Sequence, residues 1–190
     1  MGFEKHSFRF VFKAPYGPTK LDFPLFGDGA TDSFDTVTLR ANFNDAWVWG
    51  QSEAQYIRDQ FADETLLAMG EPASHGGYVQ LYVNGLYWGL YNPTERPDAS
   101  FAAAYLGGSK DNWDAIDADQ SVNSSDTTEY NELVNFDFQN GSTAAYQQVQ
   151  GNNPDGTRNQ NYPVLLDMNN YVDYMLMNFY IGNTDWPGHN

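Results

Sequence analysis

Apolar and polar residues alternate near the start of the chain. Ser7 to Lys13 reads Ser-Phe-Arg-Phe-Val-Phe-Lys, which puts Phe8, Phe10 and Phe12 on one side. A period of two predicts a strand with one buried face, ended by Pro15, Gly17 and Pro18. A second short strand is predicted over 36–41, where Val37 and Leu39 alternate with Thr36, Thr38 and Arg40. Between them, 22–35 is a loop rich in Gly and Asp. The period then becomes helical over 53–69, with Ala54, Ile57, Phe61, Leu67 and Ala68 as the expected buried stripe. Ser52 and Gln55 have the spacing of a capping box, and Gly70 followed by Pro72 is a stop. Two aromatic and β-branched runs, 78–83 and 86–91, flank Asn84-Gly85. That dipeptide tolerates two positive φ angles, so a tight hairpin is predicted. Apolar residues point both ways along it, which predicts a sheet covered on both faces.

Further on, 99–106 reads as a short helix. Residues 107–156 are polar, with weak helical signals at 127–136 and 142–150, and 151–161 is the nearest approach to a linker. Residues 169–181 are apolar on most sides, predicting a deeply buried helix capped by Asp167 or Asn169 and ended by Gly182. The expected fold is α+β. An N-terminal antiparallel sheet with one packed helix occupies 1–98, and a mainly helical part, incomplete at its C-terminus, occupies 99–190.

Composition narrows the chemistry. The chain has 190 residues, 9 basic against 25 acidic, for a net charge of −16. Such a chain repels phosphate backbones, which argues against broad binding to nucleic acid or anionic lipid. A phosphate-bearing ligand must be met by a few local cations or a metal. Thirteen Phe, thirteen Tyr and five Trp supply material for a core despite the acidity. With no cysteine, a thiol nucleophile and a Cys-based metal site are excluded. No apolar run approaches the ~18 residues a membrane span requires, and 1–9 lacks the apolar segment of a signal peptide. The dense polar-aromatic run up to Asn190 leads us to expect that the natural polypeptide continues.

The most informative stretch is that run. A buried helix ending in glycine delivers Asn183-x-Asp185, with Asn190 five residues after the Asp. A protein-kinase catalytic loop has this arrangement. Its Asp orients the attacking hydroxyl or accepts its proton, and its Asn holds a hard, oxygen-seeking Mg²⁺. Upstream lie a strand with Lys5 and Lys13, a helix with Glu53, Asp59, Asp63 and Glu64, a hairpin, and Thr94-Glu95-Arg96. That order matches a kinase core, in which a strand cation contacts the phosphates and a helix acid positions it. Glu64, in the second half of the helix, is the acid expected nearest Lys5 and Lys13; Glu53 at the helix start is explained by the dipole alone. A glycine-rich loop of G-x-G-x-x-G form is absent from the sequence.

The sequence resembles the CotH family of spore-coat-type atypical protein kinases. The resemblance rests on Lys5-His-Ser-Phe-Arg-Phe-Val-Phe-Lys13, Leu39-Arg-Ala41, and Ile57-Arg-Asp59 leading to Leu-Leu-Ala-Met-Gly70. It continues through Leu81-Tyr-Val-Asn-Gly-Leu-Tyr-Trp-Gly-Leu-Tyr91 with Thr94-Glu95, Asn112-Trp-Asp-Ala-Ile116, and Gly182-Asn-Thr-Asp-Trp186 with Asn190. It implies transfer of the ATP γ-phosphate to Ser/Thr hydroxyls of a protein substrate, with Mg²⁺. It implies Asp185 as the catalytic carboxylate and metal ligand, and Asn190 as a second metal ligand. Lys5, then Lys13, with Glu64 and Glu95, are the implied nucleotide-binding residues. An extracellular, cell-surface or coat-associated location also follows from it. The family's Trp-Asp-x-Asp metal motif is not in the sequence, so little transfer is expected from this chain alone.

Competing expectations attach to other residues. A non-catalytic carbohydrate-binding or coat module would use exposed aromatics such as Trp47, Trp49 and Trp88, whose default is core packing. Asp111, Asp114, Asp117 and Asp119 hint at a calcium loop but miss the D-x-D-x-D-G spacing. His6, His75 and His189 are scattered and read as surface or hydrogen-bonded residues.

Overall fold

The computed structural model describes residues 5–42, 54–116, 122–124, 126–184 and 186. The protein is α+β, and it divides into two compact units, Met1–Trp113 and Asp114–Asn190.

In the first unit, β1 (Phe8–Val11), β4 (Thr36–Arg40), β5 (Val79–Val83) and β6 (Leu86–Glu95) form one antiparallel sheet in the order β1-β4-β6-β5. A two-stranded ribbon, β2 (Leu21–Asp22) with β3 (Ser33–Phe34), precedes β4. The register sets Phe8 opposite Leu39 and Leu39 opposite Pro93. That face carries the apolar centre of Leu39, Ala41 and Tyr91, with Phe8 and Leu81 against it. Val37 and Leu39 are buried as their alternation predicts. Phe10 is half-exposed, because β1 is an edge strand and only one neighbour covers it.

Asn84 and Gly85 turn the hairpin at φ 51° and 80°, the conformation expected of that dipeptide. The two-sided cover predicted for the hairpin holds only where β6 runs between its neighbours, from Tyr91 to Glu95. Beyond the sheet, Tyr82, Leu86, Tyr87 and Trp88 are exposed, because β5 and the first half of β6 have only each other as partners.

Helix α1 spans Arg58–Met69, five residues shorter at its start than predicted. Its N-cap is Ile57 with no side-chain cap, and Ser52 of the expected capping box lies outside the described residues. Gly70 closes it in the left-handed conformation, its N–H shared by Leu66 and Leu67 carbonyls. Of the predicted stripe, Ala54 is buried and Leu67 half-buried, but Ile57, Phe61 and Ala68 are exposed, and the one buried residue of α1 is Gln60. A polar partner holds that residue inward: Asn92 Nδ2 of β6 donates to Gln60 Oε1 at 3.1 Å.

Helix α2 (Ala99–Leu106) has the predicted bounds. Asp98 caps it, accepting from Ser100 N at 2.9 Å and Phe101 N at 3.2 Å. We expect Asp98→Ala to cost about 1 kcal/mol, read as a shift of the urea midpoint at constant slope.

The second unit holds a ribbon of β7 (Ala115–Ile116) and β8 (Val122–Ser124), then α3 (Thr128–Val134), α4 (Thr143–Val149) and α5 (Met168–Tyr180). Ala145 and Val149 of α4 are its best-buried apolar residues. The stretch 151–161 is no linker. Arg158 Nη1 donates to the carbonyls of Gly151, Asn159 and Tyr162, and Asn152 bridges to Arg158. Asp167 caps α5 as predicted, accepting from Asn169 N and Asn170 N. Its predicted deep burial is not observed: Tyr171, Val172, Leu176, Phe179 and Tyr180 are exposed, and only Met177 and Asn178 are buried. All-round apolarity measures what a helix could bury; the short helices and ribbon described beside α5 in the sequence offer little surface to do so.

Candidate active site

The residues implied in catalysis fall in both units, and each unit builds its part separately. In the second, α5 runs straight into the Asn-Thr-Asp-Trp segment. Asn178, 3% exposed, uses its side chain and backbone to hold the chain beyond the helix. Asn183 Nδ2 donates to Asn178 Oδ1 at 2.8 Å, and Asn183 N donates to Asn178 O at 3.0 Å. Gly182 makes the bend at φ 63°. On the far side, Trp186 meets Phe179 edge to face with ring centroids 5.5 Å apart. The segment is thus tied to α5 at 183 and at 186. Asp185 and Asn190 themselves lie outside the described residues.

In the first unit, Lys5 and the implied acid Glu64 are each bonded to other groups. Lys5 Nζ donates to Leu90 O at 2.5 Å and Ala41 O at 3.2 Å, and lies over the rings of Tyr91 and Tyr56 at 4.6 and 5.3 Å. Burial lowers its pKa, so the ammonium is stitched to the sheet rather than solvated. Lys13 is exposed at the end of β1. Glu64 is exposed on α1 and accepts from Gln60 Nε2 at 3.1 Å. Among the described residues, neither lysine forms an ion pair with Glu64.

The structure does join a strand cation to the helix elsewhere. Arg40, at the end of β4, forms an ion pair with Asp59 in the first turn of α1. One turn further, Asp63 has its pKa pushed up to about 7. Burial is the main cause, and the charges of Asp59 and Glu95 add to it; Arg40 and a hydrogen bond with the Ser74 backbone act against it.

Glu95 is 4% exposed at the end of β6. It accepts from His75 N at 2.9 Å, from His75 Nδ1 at 2.8 Å and from Tyr105 OH at 2.7 Å. Burial first, then Glu95, pushes the Tyr105 pKa up, so the phenol stays a donor. Beside this cluster opens a cleft of about 310 Å³, lined among others by Thr36, Glu95, Arg96, Asp98 and Phe101. Asp35 on its wall meets Lys20 Nζ at 3.0 Å and Lys110 Nζ at 2.9 Å. Partial burial opposes its charge, but Lys110, Lys20 and the Ser100 hydroxyl together hold its carboxyl down to about 2. Eight of the nine basic residues of the chain belong to 1–113. That unit therefore has nearly all the means of meeting an anionic ligand.

Of the expected calcium loop, Asp117 and Asp119 lie outside the described residues. Asp114 gathers instead with Asp126 and Glu129, their carboxylate oxygens within 4.8 Å of one another, all three exposed. His75 is hydrogen-bonded as expected, and His189 lies outside the described residues. Arg40 and Asp59 were present in recognisable motifs, Leu-Arg-Ala and Ile-Arg-Asp. Their pairing needed the register of β4 against β6 and the helix seated on it. Asn178 gave no signal in sequence, because an Asn in an apolar helix does not say which turn faces inward.

A sheet with an ion pair from its strand β4 to α1, and a helix leading into the Asn-Thr-Asp-Trp sequence, agree with a kinase-like class of protein. The chain belongs to the CotH kinase family: the family model described as CotH kinase protein matches residues 1–190. No curated protein and no solved structure matches it. Among the described residues, no helix is long and apolar enough to cross a membrane.

Proposed function

We propose that this chain is the phosphotransferase core of a CotH-type kinase, moving the γ-phosphoryl group of ATP to a Ser or Thr hydroxyl of a protein. The observation that carries the reading is the tethering of the Asn-Thr-Asp-Trp segment to α5 through Asn178 and Phe179. A catalytic carboxylate needs a fixed platform, and the anchoring of Asn183 and Trp186 supports that role for the residue between them in sequence. In this reading Asp185 orients the acceptor hydroxyl and takes its proton as the oxygen–phosphorus bond forms, while the bond to the ADP oxygen breaks. Asn190 and Asp185 offer amide and carboxylate oxygens, the donor set a hard divalent cation prefers. Mg²⁺ there would neutralise the charge on the transferring group. Residues 1–98 then play the part of the smaller kinase lobe and 99–190 the start of the helical one.

Exposure of Tyr82, Tyr87 and Trp88 on the hairpin favours a second reading, a non-catalytic carbohydrate-binding or coat module. One experiment separates the two. The full-length natural polypeptide is incubated with radiolabelled Mg-ATP and a Ser/Thr protein substrate, wild type beside Asp185→Asn. Transfer should fall by about 10²- to 10⁴-fold with no change in unfolding temperature. Equal transfer by both overturns the role of Asp185. Absence of nucleotide binding by the wild type moves the assignment to the binding module.

A further inference from the structure

We propose that Arg40 is the phosphate-contacting cation of this kinase core and that Asp59 is the positioning residue that holds it. This rests on the phosphotransferase reading and names the group that meets the nucleotide in the first unit.

Three observations converge. The first is place in the chain and the sheet. β4 is an interior strand, and α1 is the next helix described after it. A protein kinase uses the same succession, with a strand cation held by a helix acid so that the cation reaches the phosphates. Here the strand cation in contact with the helix is Arg40, and the acid is Asp59.

The second is the face. Arg40 pairs with Asn92 across β4 and β6, and Asn92 bonds Gln60 of α1, so Arg40 lies on the side of the sheet where the helix sits. Arg9 pairs with Thr38, two residues before Arg40, and so shares that face. In a chain of net charge −16, this puts two guanidinium-bearing positions on one face of a single sheet. A planar guanidinium meets two phosphate oxygens at once, which an ammonium cannot do. Lys5 belongs to the opposite face, against Tyr91, where its ammonium is occupied by two carbonyls and two rings.

The third is how α1 is mounted. Gln60 is its one buried residue and bonds Asn92 of β6. The Arg40–Asp59 ion pair is a second polar tie between strand and helix, and it fixes where the guanidinium stands. The pair is half-exposed, as a group that must reach a ligand has to be. An exposed pair contributes only ~0–1 kcal/mol to stability, so replacing either partner should leave the fold in place.

The test is steady-state transfer by the full-length polypeptide with ATP varied. Arg40→Ala should raise KM for ATP at least tenfold, and Arg40→Lys should recover only part of that. Asp59→Asn should raise it about fivefold, with the unfolding temperature unchanged. On the Arg40→Ala background, Asp59→Asn should add nothing further, because it acts through the group already removed. An unchanged KM in Arg40→Ala beside active wild type overturns the pair and leaves the kinase reading standing. Additive effects of the two substitutions overturn the positioning role of Asp59. A wild type that neither binds ATP nor transfers phosphate overturns the kinase reading, and this inference with it.

Discussion

Glu95→Ala is expected to cost the fold roughly 2–4 kcal/mol. The carboxylate joins four segments that are distant in sequence. His75 offers it both backbone N–H and ring Nδ1, Tyr105 of α2 offers its hydroxyl, and that hydroxyl accepts in turn from Thr31 N at 2.8 Å. The His75 and Tyr105 rings stack with centroids 5.5 Å apart. Removing the acceptor strands the half-buried His75 backbone N–H, at a cost of ~1–3 kcal/mol, and leaves the Tyr105 hydroxyl and His75 Nδ1, 3.2 Å apart, with only each other in place of the carboxylate. Glu95→Gln should cost less, about 1–3 kcal/mol, because its amide keeps one acceptor but turns donor hydrogens towards the others. Urea unfolding with tryptophan fluorescence measures both. A loss below about 1 kcal/mol for Glu95→Ala would show that water replaces the carboxylate at little expense.

The second large effect is a dependence of stability on pH that traces to Asp63. Its folded pKa of about 7 lies well above the ~3.9 of an unfolded aspartate. Between those values the folded chain holds a proton that the unfolded chain has released. The stabilisation is therefore full below about pH 4 and is lost as pH rises through about 7. At about 1.4 kcal/mol for each tenfold difference, ionising this buried group costs roughly 2–4 kcal/mol. Asp63→Asn keeps an oxygen for the Ser74 backbone and removes the charge. It should flatten the profile between pH 5 and pH 8, and the variant should be the more stable protein at pH 8. Superimposable urea midpoints for the two proteins at both pH values would contradict this account.

The reach of the sequence differed between elements for physical reasons. Strand β4 and the hairpin turn were legible because alternation and Asn-Gly act locally. The cap of α5 was legible because Asp167 bonds to N–H groups two and three residues away; the Asp98 cap of α2 has the same local form but was seen only in the structure. The inward face of α1 was not legible. A reading that ranks side chains by hydrophobicity turns Phe61 inward, whereas Asn92, thirty-two positions downstream, turns Gln60 inward. Phe10 and the shell of α5 failed for a related reason: the pattern states what could be buried, and burial depends on which partners the topology supplies. Around the site, the Asn-x-Asp-Trp signal stood out because its residue types are chemically demanding. The Glu95 cluster and the Arg40–Asp59 pair join distant positions and became visible only with the register of the sheet.

Among the described residues, the sheet order leaves β5 as a boundary strand with a rim of peptide groups that no further strand pairs. Its sequence, Val-Gln-Leu-Tyr-Val, has no charge and no proline, and Val79 and Tyr82 are exposed. Such a rim is a template for a second chain to add to, the first step towards intermolecular sheet and fibrillar deposits. What keeps copies apart at neutral pH is the mutual repulsion of chains carrying −16 each. That repulsion vanishes near the isoelectric point of about 4.1. Mild acid therefore removes the colloidal barrier while Asp63 remains protonated and the fold intact, so precipitation there should begin from native molecules meeting rim to rim.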